Sequence, residues 1–418
     1  NVWGGAFPAA ADLDAVAPDH PVYLVTKSGH AAWANSAALR EAGVTAATPD
    51  PDGGLLLRDA EGAPTGILLE EAMGLVGRHV PEPTLDDMVA GLRRACDAAA
   101  RAGLTGVHDM DGTLAFRGEQ ALHERGELPL RVVKAIPYEA LDEALAVGLR
   151  SGYGDDTLRL GPVKIFADGA LGPRTAWMLE PYETEPRTAG LATTPVEALR
   201  RAVLSAAEGG LGCAIHAIGD RACREALNAY ELVAARGAPR PPAARLRIEH
   251  LQILHPADVA RVARLGVVAS MQPFHATSDM DISDRHLGPR AGRAYVFRTL
   301  QEAGAVLAFG TDCPVEVIDP LVALHAAVTR RRADGSPGPD GWHPEQRLTV
   351  AEAVRAYTWG PAYAAGRESH LGTLAPGFLA DLTVLEQDIF RIDPPEIPHA
   401  GVAATVVGGR FTYRAPQV

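Results

Sequence analysis

From about residue 83 onward the sequence settles into one repeating unit, an amphipathic helix followed by a short apolar strand. This alternation limits the fold more than any other feature. Helices expected at 85–102, 114–125, 141–148, 195–208, 221–236, 256–265 and 291–303 alternate with strands expected at 106–109, 130–136, 160–166, 212–216, 246–250, 267–272 and 306–310. The strands are apolar and rich in β-branched residues. Such strands, separated by helices, form a parallel sheet covered on both faces. Seven units are one short of a closed barrel, whereas an open doubly wound sheet takes any number. Where the polar residues fall must separate the two.

The flanking segments have a different texture. Residues 1–82 are irregular and strand-rich, with a short helix at 37–41 that Asn35 or Ser36 can cap and Gly43 can close. Segments 54–59 and 65–70 form an expected hairpin about an Asp/Gly turn. After a helix at 349–357 the composition changes near Gly372, and strands are expected at 382–385, 403–407 and 410–413. The expected organisation is an insertion over 1–82, a barrel over 83–371, and part of a small β domain over 372–418.

Composition narrows the partners. A net charge of −13 argues against a nucleic-acid surface and against anionic membranes. No apolar run approaches the roughly 20 residues that span a bilayer. Cys96, Cys213, Cys223 and Cys313 show no paired spacing, so free thiols and a cytoplasmic location are the expectation. The chain starts at Asn1 with no signal-peptide pattern.

Four strand ends carry a metal-capable side chain: Lys164, His216, His250 and, just past the last strand, Asp312. In a parallel barrel the C-terminal strand ends converge on one mouth, where active sites sit. Imidazole and carboxylate suit Zn²⁺ and similar ions. Taken singly, each residue has a structural reading: hydrogen-bonded histidines, a turn or N-cap aspartate, a lysine paired with Asp168. Four of them at four strand ends, in barrel order, are hard to obtain from folding alone. Lys164 is the most informative, because only three of the 39 basic residues are lysines, the others being Lys27 and Lys134. A buried lysine is driven towards the neutral amine, which can add CO₂ to give an anionic carbamate ligand; arginine cannot.

The segments VKIFADGALGPRTA (163–176), IHAIGD (215–220), RIEHLQ (247–252) and GTD (310–312) resemble the amidohydrolase superfamily. Together with GHAAWANS (29–36), VHD (107–109) and GTLAPGFLADL (372–382), they resemble its amidohydrolase-3 branch, the group containing N-substituted formamide deformylase. The resemblance spans essentially the whole chain. It implies a (β/α)8 TIM-type barrel with a small β-rich domain, and residues 1–82 as a long lid-like insertion. It also implies a carboxylated Lys164 bridging two divalent cations, with zinc as the default. His216 and His250 would hold the second cation. Asp312 would be both a ligand of the first and the catalytic base. The implied activity is hydrolysis of a non-peptide C–N (amide) bond in a small molecule.

The sequence departs from that pattern in one respect. The branch carries a His-x-His pair on its first barrel strand, and no such pair occurs here. The expectation is that the first strand lies in an N-terminal segment absent from this chain, and that two metals bind only when it is present. Besides amide hydrolysis, two readings stay open: a deaminase or other hydrolase of the superfamily, and a catalytically silent chain poor in metal. His30 and Trp33 of the insertion, Asp168 and Arg174 after the Lys164 strand, and Gln272 and His275 after the next-to-last strand are the candidate substrate contacts. Asp168 and Arg174 can instead brace their loop. His108, Asp109 and His286 belong to the same mouth. A homodimer is the base-rate expectation.

Overall fold

The computed structural model describes residues 7–237 and 241–416, so the first six residues of the expected insertion and the last two of the chain lie outside it. Strands β1 (Tyr23–Val25), β2 (Ala31–Ala34), β3 (Gly54–Arg58) and β4 (Pro64–Glu70) form an antiparallel sheet in the order β1-β2-β4-β3. The parallel sheet begins with β5 (Gly106–Asp109), β6 (Arg131–Pro137), β7 (Leu158–Phe166) and β8 (Cys213–Ala217). It continues with β9 (Arg247–His250), β10 (Val268–Met271) and β11 (Val306–Phe309), each strand bonded to the next in chain order. A third sheet, antiparallel, joins β12 (Leu382–Leu385), β13 (Val402–Val407) and β14 (Arg410–Arg414).

Sequential parallel order with helices in the crossovers curls a sheet on itself. The seven strands fill seven positions of a (β/α)8 barrel, and among the described residues no eighth parallel strand joins β5 to β11. Register sorts the side chains. Ile165, Ile215 and Ile248 share one step and are wholly buried in the main apolar cluster, with Val203, Ala226 and Tyr230 of the covering helices. The neighbouring steps set Lys164 beside Ala214 and Arg247, and Phe166 beside His216 and Glu249. These face the other way, into the barrel. An interior this polar cannot be only a packed core.

The outer parts are tied to this frame by side-chain hydrogen bonds. Asn35 caps the helix Ser36–Glu41 by accepting the Ala38 N–H at 2.9 Å. The C-terminal sheet seats on the end of helix Leu85–Arg101, where the Thr405 and Thr383 hydroxyls donate to the carbonyls of Ala100 (2.7 Å) and Gly103 (2.6 Å). Arg131 at the start of β6 adds a two-pronged ion pair to Asp381.

Two local expectations fail. The helix expected over 291–303 is a 3-10 turn, Gly288–Arg293, and a short helix, Phe297–Glu302. Between them Tyr295 takes φ 55°, its N–H donating to Gln252 O (2.7 Å) and its hydroxyl to Asp279 (2.7 Å). Tertiary bonds there replace helical ones. Helices Pro273–Ser278, Pro320–Thr329 and Trp359–Ala364 were not expected from the sequence. Each has proline in its first turn, which reads as a breaker although no intrahelical N–H is lost there.

Candidate metal centre

His216 and His250 reach the same point by different backbone routes. His216 follows the strand alternation inward. His250 pairs in register with Ala217 and by parity would face the helices. A left-handed backbone at His250 (φ 71°) and Leu251 (φ 41°) breaks the alternation. The two imidazoles then stand edge to face, 4.6 Å apart. Asp312 lies three residues past β11 and is likewise turned in by a positive φ of 58°. Left-handed conformations on non-glycine residues are costly and collect at functional sites.

Hydrogen bonds fix which nitrogen of each ring is free. His216 Nε2–H donates to the Gly169 carbonyl at 3.0 Å, so its lone pair is on Nδ1. His250 Nδ1–H donates to Gln272 Oε1 at 2.8 Å, leaving the lone pair on Nε2. Imidazoles oriented in this way are what metal ligation requires. Burial keeps both rings neutral. It pushes His216 well below the usual histidine range, and His250 down to about 4.

Lys164 is buried in the barrel with its Nζ 4.3 Å from the Phe166 ring centre. Burial pulls its ammonium down to about 8, against the carboxylates of Glu249 and Asp312. Among the described residues it makes no ion pair with Asp168. Both Asp168 oxygens are taken by the backbone N–H groups of Trp177 (2.8 Å), Ile218 (3.0 Å) and Gly219 (2.8 Å). The lysine therefore keeps an amine that is partly neutral near pH 8, as carbamate formation needs.

On the far side of the site, His275 Nε2–H donates to Asp312 Oδ2 at 3.0 Å, and its Nδ1 lies 3.5 Å from Glu316 Oε1. Burial opposes the imidazolium, but the bonds to Asp312 and Glu316 prevail and raise it to about 10. One donor atom each from His250, His275 and Asp312 fall within 4.8 Å of one another. Two oriented imidazoles, a carboxylate and a desolvated amine are a donor set that fits divalent cations.

Of the expected site residues the structure thus brings together Lys164, His216, His250 and Asp312, with Gln272 on His250 and His275 on Asp312. His30, just before β2, joins them, its ring 4.9 Å from that of His216 and its Nδ1 2.7 Å from Glu70 Oε2. Glu70 also accepts the Thr175 hydroxyl, tying the end of β4 to the loop after β7. Three others are engaged elsewhere, except that Asp168 Oδ1 lies 3.7 Å from His216 Nε2. Trp33 packs beside Ala31, Ile67 and Leu69 and donates to Ala9 O at 2.9 Å. Asp168 braces its loop. Arg174 faces a separate cavity of about 240 Å³.

Sequence reasoning missed Glu249, Arg247, Phe166, Glu70 and Glu316. For Glu249 and Arg247 a signal existed: two charges at alternate positions of a buried strand must share its inner face. Arg247 pairs with Glu249 and with His108 Nδ1 (2.6 Å), and Ser270 donates to Glu249 at 2.6 Å. Burial favours the neutral acid, but Arg247 overcomes it and holds Glu249 down at about 2. Glu70 and Glu316 carried no such mark.

Buried imidazoles, a desolvated lysine and an aspartate at the mouth of a parallel barrel define a metal-dependent hydrolase. The chain matches the amidohydrolase family over residues 3–413, and it belongs to that family. It is 36% identical over 411 residues to YtcJ of Bacillus subtilis, which is named an amidohydrolase, covering 96% of this chain and 76% of that protein. It is 30% identical over 424 residues to N-substituted formamide deformylase of Arthrobacter pascens, covering 97% of this chain and 76% of the relative. Among solved structures, a metal-dependent hydrolase of Pyrococcus horikoshii superposes with a TM-score of 0.75 at 32% identity, over 93% of this chain and 76% of that one.

Proposed function

We propose that the chain hydrolyses a C–N (amide) bond in a small molecule at a divalent metal centre held by Lys164, as its carbamate, with His216, His250 and Asp312. The observation that carries this reading is the pair of oriented tautomers, His216 fixed through Nε2 and His250 through Nδ1, with the two rings 4.6 Å apart. When bound, divalent cations, with zinc the default, supply Lewis-acid activation of water and of the amide carbonyl.

The protein's own groups do the rest. Asp312 takes the proton of the attacking water at a carboxylate oxygen and hands it to the departing amine nitrogen. His275 grips Oδ2 of Asp312, leaving Oδ1 as the oxygen to receive that proton. His30, held by Glu70, closes the site from the insertion side and limits water around the scissile bond. Deamination would use the same residues, and substrate profiling separates the two reactions.

The test is hydrolysis of a panel of N-formyl amines by zinc-loaded protein, beside Lys164→Arg and Asp312→Asn. The wild type should release formate. Lys164→Arg should bind less metal, and Asp312→Asn should keep metal while losing at least about a hundredfold in kcat, the lower range for a lost acid–base group. Full activity in Lys164→Arg refutes the carbamate, and full activity in Asp312→Asn refutes the assigned base.

A further inference from the structure

The cavity of about 240 Å³ lies between the insertion and the barrel, lined by Ser28, Ala31, Arg174, Ile282, Arg285 and His286 among others. Two stretches of its lining run on into residues that touch the metal centre. Ser28 and Ala31 flank His30, whose ring meets that of His216. Arg174 belongs to the loop whose Gly169 carbonyl fixes His216.

Its charge is unusual for this protein. The chain has 52 acidic residues against 39 basic ones, yet no carboxylate lines this cavity. Among the described residues neither the Arg174 nor the Arg285 guanidinium has an ion pair or a side-chain hydrogen bond within the chain. Arg174 makes only a ring contact, 5.8 Å from the centre of Phe7. A left-handed backbone, φ 62°, carries its side chain, a strained conformation that no intramolecular side-chain bond repays. His286 is part of the lining. Burial first, and then the charges of Arg174 and Arg285, push its imidazole down to about 4, so the ring is neutral. One nitrogen meets the Thr184 hydroxyl at 2.6 Å. Two unpaired guanidiniums, a neutral imidazole and the Ser28 hydroxyl around one small space match an oxyanion.

We propose that this cavity binds the carboxylate end of the substrate, so that the amide hydrolysed at the metal centre carries an anionic group on one side of the scissile bond. Ile282 and the Pro173 ring cover the apolar carbons next to it. The inference rests on the hydrolase reading for the identity of the ligand as substrate. The arginine pair can be tested without turnover.

The experiment is calorimetric titration of the protein with N-formylphenylalanine and with N-formylphenethylamine, which differ only in the carboxylate. Both are then repeated with Arg285→Gln and Arg174→Gln. Arg285 is exposed, so its substitution leaves the fold intact. The acid should bind about tenfold or more tightly than the neutral compound, as a charge-assisted pair predicts. Either variant should erase that advantage while leaving the neutral compound unchanged. Equal binding of the two compounds, binding of neither, or an advantage that survives in either variant overturns the proposal. So does an arginine-dependent site that takes inorganic phosphate but not the formyl acid. Tight, arginine-dependent binding of the acid with no formate released would uphold the anion site and sink the amide-hydrolase reading alone.

Discussion

Replacing Gln272 with leucine removes the acceptor that holds the His250 ring. Gln272 is buried, and its Oε1 takes the Nδ1–H of His250 at 2.8 Å. Leucine offers no acceptor at that place. The Nδ1–H is then left unpaired, at a cost of about 1–3 kcal/mol, or the ring turns to find another partner and takes Nε2 off the site. Both routes weaken ligation. They agree with the roughly 10–100-fold loss of metal affinity usual when the partner of a ligating histidine is removed. Gln272→Glu keeps an oxygen at the same place and should retain affinity within a few-fold, because a carboxylate accepts the same bond more strongly. The assay is competition for zinc against a chromophoric chelator, with circular dichroism to show that both variants are folded. Unchanged zinc affinity in a folded Gln272→Leu protein would refute the argument that this bond orients a metal ligand.

Two further predictions concern buried carboxyl groups outside the proposed ligand set. Glu119 is buried with its Oε2 unpartnered, beside Asp109 and Asp111, with Lys134 bonded to Asp109 at 2.8 Å. Burial and the proton shared with Asp109 raise it to about 9, so the folded state keeps a proton that the unfolded chain releases near 4.5. The stability this proton supports is full below about pH 4.5 and is lost as the pH rises towards 9, by up to about 1.4 kcal/mol per pH unit. Glu119→Gln should remove the slope, matching wild type at pH 5 in urea unfolding and exceeding it at pH 8; parallel curves at both pH values would show that Glu119 is not protonated. Asp168→Asn should lower stability by about 1–3 kcal/mol for each backbone N–H left facing an amide NH₂. It should leave KM unchanged in any folded fraction, and a change in KM at constant melting temperature would return Asp168 to the substrate contacts.

The sequence by itself determined a parallel α/β sheet, and the motif resemblance made that sheet a barrel. Helix and strand periods with β-branched strands leave few alternatives, and lysine or histidine at successive strand ends of such a sheet must converge, because the C-terminal ends of parallel strands share one mouth. The exclusion of membrane spans was equally legible, and among the described residues no helix is long and apolar enough to cross a bilayer. Aim was not legible. By strand parity His250 faces the helices, and only the left-handed turn at His250 and Leu251 brings it to His216. Asp168 sits four residues from Lys164 and invites an ion pair, yet the N–H of Trp177 in its own loop and those of Ile218 and Gly219 in the loop after β8 claim it. Arg174 and Arg285 are 111 positions apart, and nothing local marks them as facing one cavity. Local periodicity sets which residues lie on a strand or helix, because it follows from backbone geometry. Which polar groups face each other depends on contacts distant in the chain, and these exist only once the backbone has closed around them.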